Sequence, residues 1–581
     1  MKQRRRVPDT LGQMVGAPAP RRKRHRPRGA LAASAAALAA AVVVVIVLTS
    51  GGTSPRARSP RTIESMFQDD QYLIYSPTNT VVQVLDALKS LGVDRLRVQM
   101  LWQAIAPDAQ STVPPAGFDA TDPAAYGGGW APFDRLLKLA RARGIGIDFD
   151  LTAPGPLWAM VRPSPAGKSA NHYRPSAQDF GQFVLAAGTR YSGSYTPPVG
   201  GAGAPGAGGG TSGTGGAASG PLPRVSYWSI WNEPNQPGWL QPQWGTVAGQ
   251  RVMVAPQLYR DYADAAFSAL ERTGHRPSTD TFLIGELAPD GTENSTRATA
   301  PIPPMPFLRA LYCVDASNRP LRGSLASPMG CPAGGGRQAF VAAHSALFQA
   351  TGFAHHPYNF YAPPGVSLSD PNFVPLSDLS RLEHGLDGIF VAYGVPRQLP
   401  LYLTEYGYST NPPNPFRGAI SPAAQSSFLN QAQYMAWMDP RVRALSQFLL
   451  VDSLPDTSYP RGSIRYWSTF QTGLVFSSGM AKPSLNSYGL PIFIPHPSFA
   501  GGARTLIWAM LREAPNGTRQ RAQIQFRGRG AYRTLTTVST DDPSGFLTAE
   551  VQLPGTGAVR IAWVSPAGKV VHSRAVGVRM S

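Results

Sequence analysis

Between residues 61 and 495 the chain alternates two hydrophobic patterns. Short, nearly continuous apolar runs at about 65–73, 93–100, 145–151, 225–231, 281–287, 352–356, 399–404 and 444–451 read as strands covered on both faces. Between them lie stretches with apolar residues three and four apart, as helices require. Val81, Val84, Leu85 and Leu88 share one face over 80–91, and Phe133, Leu136, Leu137 and Ala140 share one over 130–143. Phe180, Phe183, Val184 and Ala187 follow Ser176, a helix cap with Asp179 three residues on. Further helices are expected over 257–273, 376–393 and 421–438, and a helical region interrupted in the middle over 307–351. Strands alternating with helices make a parallel sheet, and eight of them fill a closed (β/α)8 TIM barrel. After about residue 495 the texture changes. Five short strands, separated by turns such as Ala514-Pro515-Asn516-Gly517 and Asp541-Asp542-Pro543-Ser544-Gly545, predict a C-terminal β-sandwich over 496–581. The expected fold class is α/β, with the barrel over 61–495.

Composition modifies this picture in three places. The formal charge is +19, but residues 1–29 hold ten Lys and Arg against one Asp. About half the excess is therefore a basic tail, and no folded basic motif for nucleic acid is evident. Residues 30–49 carry no charge and end in a Val-rich run. That length spans a bilayer as a helix, and the basic flank keeps the N-terminus cytoplasmic. The expectation is a single-pass signal-anchor, a linker over 50–60 and a body outside the cytoplasm, the alternative being a cleaved signal peptide and a secreted protein. Residues 199–220 are almost all Gly, Ala, Ser, Thr and Pro, too polar and small to bury a core, and read as a disordered insert before the fourth strand. The two cysteines, Cys313 and Cys331, permit one disulfide in an exported protein, free thiols being the alternative.

The chemistry centres on the fourth apolar run, which ends in Trp231-Asn232-Glu233-Pro234-Asn235. Pro234 cannot continue a ladder, so Glu233 sits at the C-terminal end of a strand, where barrels carry their reactive groups. Glu405 holds the same position on the seventh strand, in Leu403-Thr404-Glu405-Tyr406-Gly407. Cleavage of a glycosidic bond needs two such carboxyls: one to protonate the leaving oxygen, the other to attack the anomeric carbon. Glu233 suits the acid/base role and Glu405 the nucleophile. Asn232 is placed to bond a neighbouring sugar hydroxyl. Arg97, ending the second strand, and His356 and Tyr358, ending the sixth, are placed to hold Glu405 charged and oriented. Asp148, Asp150 and Glu286 are polar groups near strand ends with at most a supporting part. Among the aromatics of the strand-to-helix loops, Trp102, Trp158 and Trp467 are expected to stack on sugar rings, Trp467 forming a wall after the eighth strand. No cofactor and no metal ligand set is indicated.

Taken together, the Asn-Glu-Pro motif, the second Glu, Arg97 and His356-Pro357-Tyr358 resemble clan A of the glycoside hydrolases over roughly residues 61–495. The resemblance implies a retaining two-Glu mechanism on an O-glycosidic poly- or oligosaccharide, with no cofactor. Within the clan the chain looks most like family 39 or family 5. The barrel, the following β-domain and the N-terminal apolar segment are similar to bacterial family 39 exopolysaccharide hydrolases. The Gly-rich insert departs from the pattern. The competing reading is a catalytically silent carbohydrate-binding envelope protein on the same scaffold. Partners then reduce to a carbohydrate and, through 30–49, a membrane.

Overall fold

The computed structural model describes residues 63–161, 170–198, 220–292, 295–416, 418–512 and 518–581. The expected membrane segment 30–49, its linker and nearly all of the 199–220 insert lie outside the described residues. Among those described, no helix is long and apolar enough to cross a membrane.

Eight parallel strands close into a barrel: β1 (Glu64–Gln68), β2 (Arg95–Leu101), β3 (Gly146–Thr152), β4 (Tyr227–Ile230), β5 (Thr281–Leu287), β6 (Gly352–His355), β7 (Leu401–Leu403) and β8 (Val442–Phe448). Neighbours in sequence are neighbours in the sheet, and β1 pairs with β8 from Glu64 opposite Ala444 to Gln68 opposite Phe448. Crossover helices cover the outside: α1 (Thr78–Ser90), α2 (Ala131–Arg141), α3 (Ala177–Arg190), α4 (Ala255–Arg272), α5 (Pro304–Leu311), α6 (Leu379–Ala392), α7 (Pro422–Met438) and α8 (Pro483–Gly489). The Ser176 hydroxyl caps α3 by accepting from the Asp179 amide at 3.2 Å. A hairpin, Trp244–Val247 with Gln250–Met253, interrupts the β4–α4 connection; its four-residue strands carry no strong alternation that would reveal them.

The strands divide their side chains by parity. Leu96, Val98 and Met100 of β2 point outward into the helix layer and are buried, while Arg95, Arg97 and Gln99 point inward. The barrel floor is apolar around Met66, Leu283, Ala354, Tyr402 and Ala444. The Arg95 guanidinium lies 3.3 Å from the Tyr227 ring centroid there and pairs with Glu64 at 2.7 Å. Above the floor the interior turns polar, with Arg97, Asp148, Asp150 and Glu286 all fully buried.

Residues 490–581 form two further sheets, of three and six strands, which share one apolar core including Ile492, Ile507, Ile524, Ile561 and Trp563. This β-rich part docks on α7. Trp508 meets Tyr434 edge-on, and Asn430 accepts from the Ile492 amide at 3.1 Å. The strands Arg504–Met510, Gln520–Arg527, Arg533–Thr540, Phe546–Gln552 and Gly557–Val564 coincide with the five expected from the turn spacing. The short pieces Ile492–Phe493, Ser498–Phe499, Val570–His572 and Val576–Met580 are too brief to carry a sequence signal.

Cys313 and Cys331 are disulfide-bonded. The bridge closes the irregular chain between α5 and the helix Arg337–Ala343, and Arg260 donates to Cys313 Sγ at 2.9 Å.

Candidate active site

A cleft of about 760 Å³ opens at the C-terminal ends of the strands. Asn232, Glu233, Tyr358 and Glu405 line it, with Gln99, Trp239, Asp290, Phe448 and Phe470. Glu233 is delivered by an abrupt end to β4. Trp231 (φ 66°) and Glu233 (φ 38°) both adopt left-handed backbone, which disfavours a continuing strand. Trp231 anchors the turn by stacking on Tyr262 at 4.6 Å, and the Glu233 amide donates to the Glu286 carbonyl at 3.0 Å. Asn235 staples the turn to the next loop, accepting from the Ala288 amide at 2.9 Å and donating to the Ala288 carbonyl at 3.2 Å.

Arg97 is the hub. One terminal nitrogen donates to Gln68 at 2.6 Å and Glu405 at 2.8 Å. The other donates to Asn232 at 2.7 Å and to Asp150 and Glu286 at 3.0 Å each. Burial works against the guanidinium's charge, but Glu286, Asp150 and Glu405 outweigh it and hold Arg97 more firmly protonated than usual. With Asn232 Oδ1 taken by Arg97, the group this residue can offer a ligand is its NH2.

His356 is the second buried cation. Nδ1 lies 2.9 Å from Glu233 and Nε2 lies 2.7 Å from Glu286, so both ring nitrogens face carboxylate acceptors and both carry protons. Burial disfavours that charge, but Glu405, Glu233 and Glu286 raise the group to about 10. Adjacent His355 behaves oppositely. It bonds the Val374 carbonyl at 2.7 Å, and burial lowers it to about 4, leaving it neutral and structural. The Tyr358 hydroxyl donates to Glu405 at 3.1 Å. Burial raises the Glu405 carboxyl above its ordinary value, with His356 and Arg97 pulling the other way.

Oxygens of Glu233 and Glu405 and a ring nitrogen of His356 all lie within 4.8 Å of one another. The same three could in principle ligate a cation, but His356 would first have to give up the proton its three carboxylate neighbours stabilise.

Glu286 is more central than its place in the sequence suggests. It is fully buried and also accepts from the Thr404 hydroxyl at 2.7 Å. Burial alone would raise it; Arg97 and His356 bring it down to about 2. Strand parity points Gly285 inward, not Glu286. The register against β6 slips between Gly285 and Leu287, and at this bulge Glu286 (φ 49°) turns into the barrel. Gly285 makes the bulge possible: its φ is 104°, and a Cβ there would stand 2.6 Å from the Phe353 ring and 2.7 Å from the Ala354 carbonyl. The one available signal was that glycine immediately before a carboxylate at a strand end.

Three of the expected aromatics do not line this cleft. Trp102 is wholly buried, stacked on Phe183 at 5.7 Å, and does not line the cleft. Trp158 packs edge-on against Trp102 at 6.0 Å and donates to the Pro107 carbonyl. Trp102 lies between the barrel and α3, whose apolar face supplies Phe180 and Phe183, and Trp158 is sandwiched edge-on between Trp102 and Phe118. Trp467 meets Tyr466 edge-on and lies outside the lining. The wall after β8 is instead Phe448 with Phe470, ring centroids 5.0 Å apart, and Trp239 supplies the cleft's tryptophan.

No protein-family model matches the chain, and no curated protein matches it. Among solved structures, it is similar to a Bacteroides uniformis beta-glucuronidase 2 at 11% identity and a TM-score of 0.37, over 90% of this chain and 46% of that one. GH5_18 from Streptomyces cattleya in complex with GlcNAc is 15% identical, with a TM-score of 0.40 over 74% and 79% of the two chains. A family 51 alpha-L-arabinofuranosidase from Bifidobacterium longum is 13% identical, with a TM-score of 0.38 over 89% and 94%. The chain spans about half the length of the first of these. These structural neighbours are glycoside hydrolases.

Proposed function

We propose that the protein is a retaining glycoside hydrolase that cleaves O-glycosidic bonds of a poly- or oligosaccharide. The observation that carries this reading is the pair Glu233 and Glu405, at the ends of β4 and β7, facing one cleft with oxygens within 4.8 Å. Retaining enzymes hold their carboxyls about 5–5.5 Å apart, whereas inverting ones leave about 6.5–9.5 Å for a water. Glu405 is the nucleophile, because Arg97 and Tyr358 fix its two oxygens from behind. Glu233 is the acid/base. One oxygen is held by His356, the other remains for the leaving group, and its side chain is the more exposed, at 19% against 9%.

In the first step Glu405 attacks the anomeric carbon while Glu233 gives its proton to the departing oxygen. In the second, Glu233 takes a proton from water, whose oxygen displaces Glu405. Asn232, through its NH2, bonds a hydroxyl of the sugar being transferred. We place the body outside the cytoplasm, anchored through residues 30–49; the Cys313–Cys331 bridge supports an oxidising compartment. A secreted form would differ only in lacking that segment, which the mass of the mature protein distinguishes.

The deciding experiment is incubation with a panel of 2-deoxy-2-fluoro glycosides bearing an activated leaving group, followed by peptide mass spectrometry. A sugar on Glu405 is expected; labelling of a different residue, or inverted product configuration by NMR, would overturn the reading.

A further inference from the structure

The protein as a whole is strongly basic, yet its cleft is acidic. Glu233, Asp290 and Glu405 line it, and no Lys, Arg or His lines it among the described residues. Arg97 and His356 pair with Glu405 and Glu233, and leave Asp290 as the lining carboxylate without an ion-pair partner among the described residues. Both are fully buried behind the carboxylates and direct their donors at those carboxylates.

Asp290 differs from the other two. Glu233 and Glu405 are held by His356, Arg97 and Tyr358, whereas the Asp290 carboxylate has no hydrogen-bond or ion-pair partner among the described residues. It is partly buried, and burial together with the nearby Glu233 charge pushes it up to about 6. Its position is rigid. It lies two residues after the Ala288 that Asn235 grips through two hydrogen bonds, and the Gln236 side-chain NH2 donates to the Asp290 carbonyl at 3.3 Å. Asp290 therefore belongs to the Glu233 wall of the cleft, with Trp239 and Gln236. A partly desolvated carboxylate without a donor is an unmet demand for N–H or O–H groups. The other wall offers the aromatic faces of Phe448 and Phe470.

We infer that Asp290 reads the charge of the leaving sugar: it accepts hydrogen bonds from a neutral or ammonium-bearing unit on the Glu233 side and repels a uronic acid there. The inference rests on the glycosidase reading, because only then does the Glu233 side receive the leaving group. Neutral sugars bond the carboxylate through paired hydroxyls, amino sugars add charge complementarity, and a uronate would set a second carboxylate against Asp290, with no Lys, Arg or His among the described lining residues to offset it.

The test is a matched trio of disaccharides with glucose, glucosamine or glucuronic acid as the leaving unit. Their common non-reducing sugar is one the enzyme hydrolyses, and the assay is run at neutral pH, where Asp290 is ionised. The glucuronate substrate should have a kcat/KM about tenfold below the glucose one, with glucosamine at least equal to glucose. In Asp290→Asn and Asp290→Ser, checked for native circular dichroism, the glucose-to-glucuronate ratio should fall toward one. Added salt should shrink the same ratio in the unaltered enzyme. A ratio near one in the unaltered enzyme, or a ratio unchanged in both folded variants, overturns the inference and leaves the glycosidase reading standing. Failure to hydrolyse any glycoside overturns the glycosidase reading, and the inference falls with it.

Discussion

Glu286 accepts a hydrogen bond from His356 Nε2 at 2.7 Å inside a barrel where neither side chain is exposed. Glu286 lies on β5 and His356 just past the end of the adjacent β6, yet they meet only because β5 bulges. Through this pair the charge on His356 is fixed from below while its other nitrogen meets Glu233 from above.

Replacing Glu286 by Gln removes one of three carboxylates holding the His356 proton. The His356 pKa should fall, and the alkaline limb of the kcat/KM profile should move to lower pH. A profile displaced only in height would show that Glu286 acts on stability alone.

The folded-state pKa values set the pH dependence of stability with definite signs. His356 is raised from 6.5 to about 10, so its contribution is complete below 6.5 and fades as pH climbs through 10. Glu286 is lowered from 4.5 to about 2, so its contribution is complete above 4.5 and is lost as pH falls through 2. Melting temperature should decline on both flanks, and His356→Gln should flatten the alkaline decline. An unaltered alkaline slope in that variant would contradict the assignment of the charge.

Arg97→Lys keeps the charge but not the fork. An ammonium cannot span acceptors on β1, β3 and β5 and just past the ends of β4 and β7. Urea unfolding should show a loss of about 3 kcal/mol, in the range for breaking a buried charged network. Activity should fall with it, because Glu405 loses the guanidinium that donates to its Oε1.

Glu405→Gln should lower kcat by at least about a thousandfold with every substrate and abolish labelling. Glu233→Gln should differ in kind. Substrates with activated aryl leaving groups, which need no proton, should still form the glycosyl-enzyme, and azide should restore turnover. Equal losses on activated and ordinary leaving groups in both variants would undo the division of roles.

Gly285→Ala should be costly despite its small size. The position needs φ near +104° and has no room for a methyl group beside Phe353. A destabilisation above about 1 kcal/mol is expected, with a disproportionate drop in kcat as Glu286 is displaced. Thermal melts and single-turnover rates on the same sample measure both.

The eight-stranded alternation was legible because its physics is local. Apolar runs of strand length, helical periodicity and caps such as Ser176 depend on neighbours within a few turns. The Glu233 and Glu405 strand ends were legible for the same reason, since Pro234 and the end of the β7 apolar run mark them without knowledge of the rest. Arg97, His356 and Tyr358 could be placed at the same barrel face because strand order alone puts them there. Three things were decided only by the tertiary structure. Glu286 enters the site through a register slip that reverses strand parity, and a slip is a property of two paired strands. Trp102 packs on Phe180 and Phe183 of α3, and Trp158 on Trp102 and Phe118, because an apolar ring at a strand end takes whichever aromatic layer the packed chain presents. Asp290 stands beside Glu233 without a partner among the described residues because hydrogen bonds between loops hold it there, and no pattern within its own loop records them.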